Sequence, residues 1–291
     1  MIRCTRQAAI PMICVSALIC ALALAPVLAA DTAFERHFDV SPGGQLTLDT
    51  DVGSVLVVGG DGHELSVHAT VMGSADFRSH FSITAVQTPQ GVTVTGRMQR
   101  PGWFGQWFES SRRNVAFSIE VPRDYATDIH TSGGALDLRH LNAATRGITS
   151  GGSVTVEDVH GPVRMRTSGG GIDVSDCTGD VDVRTSGGSI RLDDIDGSVR
   201  AATSGGSVHA DVRSNQGVSL QTFGGSIALL LPATATGSLD AQTGGGHVES
   251  TIPLTSVESV GRNELRGAIN GGGEQIRLRT AGGSIRIATL D

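Results

Sequence analysis

The tetrapeptide Thr-Ser-Gly-Gly begins at residues 131, 149, 167, 185 and 203, five copies spaced 18 residues apart without a slip. A fixed period of this size is the mark of a stacked repeat architecture, in which each unit buries its apolar face only against its neighbours. Repetition also bears on chemistry. An active site is needed once, whereas a corner is needed on every turn, so the tetrapeptide reads as a corner. Counted from each threonine as zero, position 5 is Leu136, Val154, Ile172, Ile190 and Val208, and position 7 is Leu138, Val156, Val174, Leu192 and Ala210. Alternation with a period of two predicts a strand with one buried face. Further along each unit Val163/Met165, Val181/Val183 and Val199/Ala201 repeat the pattern, so each unit holds two strands, each introduced by glycine. The predicted fold class is all-β: a parallel β-solenoid (a single-stranded β-helix) with 18-residue coils. Like residues then stack in columns about 4.8 Å apart. Glycine suits the corners because sharp turns often require positive φ, and threonine and serine hydroxyls can ladder beside them.

The pattern extends past the clean copies. "TFGGSI" at 222, "TGGGHV" at 243, "NGGGEQI" at 270 and "TAGGSI" at 280 continue it with looser spacing. Upstream, "GQLTLDTDVGSVLVVG" fits the template with Thr50 at zero and Val55 and Val57 buried. Residues 60–126 read as a β-rich insert or cap, with strand candidates "ELSVHATV", "FSITAV", "GVTVTG" and "VAFSIEV". Of the eleven aromatic residues only Phe223 follows residue 126, and a thicker aromatic end is what a solenoid needs to close its open face. The expected organisation is therefore a first pair of solenoid strands in 31–59, the insert in 60–126 and the repeats in 127–291, all one continuous domain.

Arg3 and Arg6, the apolar run from Ala8 to Leu28 and the small residues of "PVLAAD" fit an export signal over residues 1–30, cleaved after Ala29 or Ala30. The run is almost long enough to serve instead as an uncleaved anchor. After its removal no transmembrane segment is expected. Cys4, Cys14 and Cys20 leave with it, and Cys177 alone cannot form an intrachain disulfide. Cys177 stands where other units carry Val159 and Ile195, so it reads as a core residue. All 22 basic residues are arginine and the net charge is −7, which argues against nucleic acid as a partner.

"FDVSPGGQLTLDTDVGSVLVVG", "VPRDYATDIHTSGG", the Thr-Ser-Gly-Gly ladder and "INGGGEQIRLRTAGGSIRI" together resemble the bacterial putative-adhesin family of β-strand repeat proteins, a domain of unknown function. The resemblance covers roughly residues 38–288. It implies an exported β-solenoid. It supplies no catalytic residues.

Familiar catalytic signatures are excluded by context. A phosphate-binding loop needs a following helix and a Lys-Ser/Thr pair, but a strand follows every glycine pair and the chain has no lysine. No nucleophile elbow is present. The nine histidines do not share a repeat position, which suggests neither a metal triad nor a Ser–His–Asp set. Three features vary between copies instead. Asp158, Asp176 and Asp194 occupy position 9, after His140, and could stack into a Ca²⁺ site or end strands through Asx turns. Arg146, Arg164, Arg166, Arg184 and Arg200 face outward from the second strand, interrupted by Asp182. They form either a basic stripe for an anionic polysaccharide or lipid surface, or a solvated face paired with acids. "RPGWFGQWFESSRR" places Trp103 and Trp107 among arginines, as a packed cap or as a ligand- or surface-contacting tip.

The expected function is an exported, non-enzymatic envelope or surface protein of the periplasm, outer envelope or exterior. Its role would be adhesin-like, scaffolding or ligand binding, with no cofactor beyond a possible Ca²⁺. The alternatives are a polysaccharide-active enzyme using Asp173, Asp193 or Asp194 as paired carboxylates, and a periplasmic stress or assembly factor that binds a protein partner.

Overall fold

The computed structural model describes residues 32–99 and 114–290. The expected export signal and the insert residues Trp103 and Trp107 lie outside the described residues. Within them the chain is all-β, a network of 23 strands with one short helix, Ala75–His80, whose Phe77 amide donates to the capping Ser74 hydroxyl at 3.2 Å.

The 18-residue spacing becomes strand register. In the first-strand ladder Val154 lies opposite Leu136 and Ile172, and Ile172 lies opposite Ile190, all in parallel. In the second-strand ladder Val163 lies opposite Thr145 and Val181, and Val181 opposite Val199, again in parallel. The columns expected at positions 5 and 7 are buried, with Leu138, Val156, Val174, Leu192 and Ala210 at most 1 % exposed. A third buried column, Leu141, Val159, Cys177, Ile195 and Val212, fills the short run between the two strands. Burial pushes the Cys177 thiol up to about 11, so it stays protonated and packs as an apolar group.

The glycine corner differs from expectation in its cause. Of the glycines in the five Thr-Ser-Gly-Gly copies only Gly134 has a left-handed φ. The second glycine is required by stacking. A Cβ on Gly170 would lie 2.2 Å from the carbonyl oxygen of Gly152, and one on Gly188 would lie 2.2 Å from that of Gly170. The threonine of each copy is buried and clips successive units together. Thr185 Oγ1 donates to the Gly170 carbonyl at 2.7 Å and accepts from the Gly188 amide at 3.4 Å. The same pair of bonds recurs at Thr167 and Thr203.

Both ends of the stack close by excursions of the chain. Gln45–Thr50 lies between Gly91–Met98 and Ala126–Thr131, parallel to both. Ser54–Gly60 lies likewise between Asn114–Pro122 and Leu136–Leu141. Outside them Glu64–Met72 pairs antiparallel with Asn114–Pro122 and with Thr32–Asp39, and Phe81–Thr88 pairs antiparallel with Gly91–Met98. Phe77, Phe81, Phe117 and Tyr125 are buried at this end.

At the other end the repeats do not stack in chain order. Gln275–Thr280 sits between Val208–Thr222 and Gly237–Thr243, and Ile285–Thr289 sits between Ile227–Leu231 and Val248–Ser250. The last repeat is the more apolar, and Ile276, Leu278, Ile285 and Ile287 are fully buried. It takes the inner place, leaving the more polar Leu254–Gly261 and Glu264–Ile269 as an antiparallel cap. Antiparallel edges end a parallel stack that would otherwise offer its unpaired edge to another chain.

Candidate functional site

Position 9 of the repeat is a backbone feature before it is a chemical one. His140, Asp158, Asp176 and Asp194 all have left-handed φ, between 53° and 62°. Each is a kink between the end of the first strand and the short third run. Aspartate and histidine tolerate this conformation far better than branched residues do. The column of acids is thus explained first by the turn it makes.

The kinks bring three carboxylates along one edge, together with two histidines and an arginine from the same chain. His140 Nδ1 lies 2.7 Å from Asp158 Oδ2, and His160 Nε2 lies 3.3 Å from Asp158 Oδ1. The Arg213 guanidinium grips both oxygens of Asp194. The hydrogen bond from His140 holds Asp158 below the usual carboxylate range, and Arg213 does the same for Asp194. Among the described residues Asp176 has no histidine or arginine within ion-pair distance. Desolvation and the adjacent Asp194 carboxylate push it up. Asp158, His160, Asp176, Asp194 and Arg213 line a shallow cleft of about 320 Å³. A calcium ion bound here would have to displace His140 and Arg213 from the carboxylates they already hold.

The arginines meet on the outer face of the second-strand ladder. Arg146, Arg164, Asp182 and Arg200 are register neighbours on successive strands, and Arg166 lies beside Arg184. Arg146 Nε lies 3.7 Å from Asp128, and Arg184 Nε donates to Asp182 at 3.1 Å. Arg164, Arg166 and Arg200 are exposed and have no ion-pair partner among the described residues. The face therefore carries both a paired and an unpaired set.

One grouping escaped the sequence reading. The histidines were compared only with one another, whereas one ligand atom each from Asp193, His209 and Asp211 fall within 4.8 Å of one another. Asp193 and Asp211 both occupy position 8, in adjacent units, and His209 precedes Asp211 by two on the same face. The 18-residue ruler applied to acids and histidines together, rather than to histidines alone, would have found them. Burial pushes the Asp211 carboxyl up. Asp173 and Asp193, the other acids considered for catalysis, lie on this same open outer face.

The Toastrack DUF4097 family model matches residues 44–288. Among solved structures, the chain is similar to a putative adhesin from Bacteroides fragilis at 11 % identity, covering 89 % of this chain and 97 % of that one, with a TM-score of 0.42. It is also similar to a putative lipid binding protein from Parabacteroides distasonis at 12 % identity, with the same coverage and a TM-score of 0.41. A putative cell adhesion protein from Clostridium sporogenes is similar at 12 % identity, over 89 % of this chain and 100 % of that one, with a TM-score of 0.30. No curated protein matches the chain. Among the described residues no helix is long and apolar enough to cross a membrane.

Proposed function

The chain belongs to the Toastrack DUF4097 family, and on that footing we propose that it is an exported, non-enzymatic binding protein. It is a parallel β-solenoid of 18-residue coils, adhesin-like in role, whose second-strand face holds an anionic component of the cell envelope. The observation that carries this reading is the set Arg164, Arg166 and Arg200, exposed and without ion-pair partners among the described residues, on one face of a parallel ladder in which the strand carrying Asp182 and Arg184 stands between them.

Strands in such a ladder stand about 4.8 Å apart, so Arg200 lies two strands from Arg164 and Arg166, across Asp182 and Arg184, and the guanidinium groups are spread over one face. Guanidinium binds carboxylate, sulfate and phosphate groups with two parallel hydrogen bonds. A set of them spread over a stiff sheet suits a linear polyanion, or a plane of anionic headgroups, better than a small molecule. Binding without turnover is supported by the acids themselves. Asp158 is already held by His140 and Asp194 by Arg213, and Asp173 is exposed on a sheet face.

The test uses the purified protein, a panel of acidic and neutral polysaccharides, and anionic and zwitterionic vesicles. Binding to the acidic polysaccharides, weakening as salt screens the contact, is the expected result. The triple variant Arg164→Glu, Arg166→Glu, Arg200→Glu should abolish it. Retention by that variant would remove the arginine face from the account, and reproducible cleavage of a polysaccharide would overturn the non-enzymatic reading.

A further inference from the structure

We propose that Asp193, His209 and Asp211 form a binding site for a divalent transition-metal cation of the zinc type. Strand alternation places His209 and Asp211 on one outward face, and the parallel ladder pairs Leu192 with Ala210, the residues that precede Asp193 and Asp211 on adjacent strands. The side chains converge from there. His209 Nε2 lies 3.6 Å from Asp211 Oδ1, too far for a good hydrogen bond. Two ligand atoms each about 2.1 Å from one tetrahedral ion stand roughly 3.4 Å apart, which is close to the observed separation.

A second observation is independent of the clustering. The Oδ1 atom of Asp211 is shut off from solvent and receives no hydrogen bond. A carboxylate oxygen in that state is costly unless a cation or donor meets it. The position-9 carboxylates Asp158 and Asp194 differ in this respect, because His140 and Arg213 meet them.

The donor set narrows the ion. One imidazole and two carboxylates suit zinc or manganese, whereas calcium favours an all-oxygen shell. The next strand presents Ala228 and Leu230 beside His209 and Asp211. Neither competes for the ion, and both line an open groove of about 430 Å³ through which water or an outside ligand would complete the coordination. Arg191 Nη1 lies 3.9 Å from Asp193 Oδ1 and is a competitor for that carboxylate.

The test is calorimetric titration of the purified protein with Zn²⁺, Mn²⁺ and Ca²⁺, with melting curves in parallel. We expect one saturable Zn²⁺ site, a raised melting temperature and a weaker response to Ca²⁺. His209→Gln and Asp211→Asn should each weaken Zn²⁺ binding by more than the roughly tenfold that losing an outer-shell partner costs. Arg191→Gln should strengthen it. Melting curves without metal show that each variant is folded. Absence of saturable Zn²⁺ binding would overturn the proposal. So would His209→Gln binding as the parent does, or a site that disappears with His140→Gln instead.

Discussion

Each repeat turns at two kinds of corner, and the two obey different rules. At the glycine corner the constraint runs between repeats: the backbone of one unit leaves no room for a side chain on the next, and a buried threonine ties them together. At the position-9 corner the constraint lies within one residue, which must accept a left-handed φ. The first rule admits one residue type and is written in the same letters in every copy. The second admits histidine, aspartate and their like, so His140 stands where the next three coils carry aspartate, and the side chains take different partners from coil to coil. The contrast says where to look for function in this chain, among the positions that only the local backbone restrains.

The sharpest way to break the contrast is Gly170→Ala, whose new Cβ would fall 2.2 Å from a carbonyl that belongs to the neighbouring backbone and cannot swing aside. Overpacking of this kind costs about 3 kcal/mol or more. Gly187→Ala, at the first glycine of the next copy, meets the Gly169 carbonyl at 3.1 Å and should cost much less. Denaturant unfolding of the two variants decides it, and equal losses would mean that stacking does not single out the second glycine. Thr185→Val comes next. It keeps the shape but strips the Gly170 carbonyl and the Gly188 amide of their shared partner, for an expected loss of about 1–3 kcal/mol, read from the same unfolding curves.

The sequence disclosed the stack more fully than it disclosed the site. Alternation named the buried positions, and the 18-residue ruler named which residues become neighbours, from Val154 and Ile172 through Arg164 and Asp182. Both signals are local or strictly periodic. Two results lay outside that reach. The last repeat enters the stack beside Val218 and Ile227 rather than after Val248, because the cost of exposing Ile276 and Leu278 is settled by competition among distant segments. Position 9 showed its acids but not their conformation, and the left-handed kink is what puts Asp194 within reach of Arg213. The Asp193–His209–Asp211 group needed two repeat positions considered together, on a strand whose register shifts after Leu192.

The gentlest test lies within the acidic corner, where neighbouring aspartates pull stability in opposite directions with pH. Arg213 holds Asp194 below its ordinary value of 3.8. Its contribution is present above that value and is lost as pH falls through the folded one. Asp176 is raised above 3.8 by desolvation and by Asp194. Its contribution is fully present below 3.8 and is lost as pH rises through the raised value, so the two slopes partly cancel in the carboxylate range. Asp176→Asn keeps the left-handed kink, which asparagine also accepts, and removes the opposing slope together with the smaller part that the Asp176 carboxyl plays in holding Asp194 down. At neutral pH its stability should change by no more than about 0.5 kcal/mol, on the favourable side. On acidification it should lose stability more steeply than the parent. Matching acid limbs for the two proteins would show that Asp176 adds no slope of its own, and that neither burial nor the adjacent Asp194 acts on it.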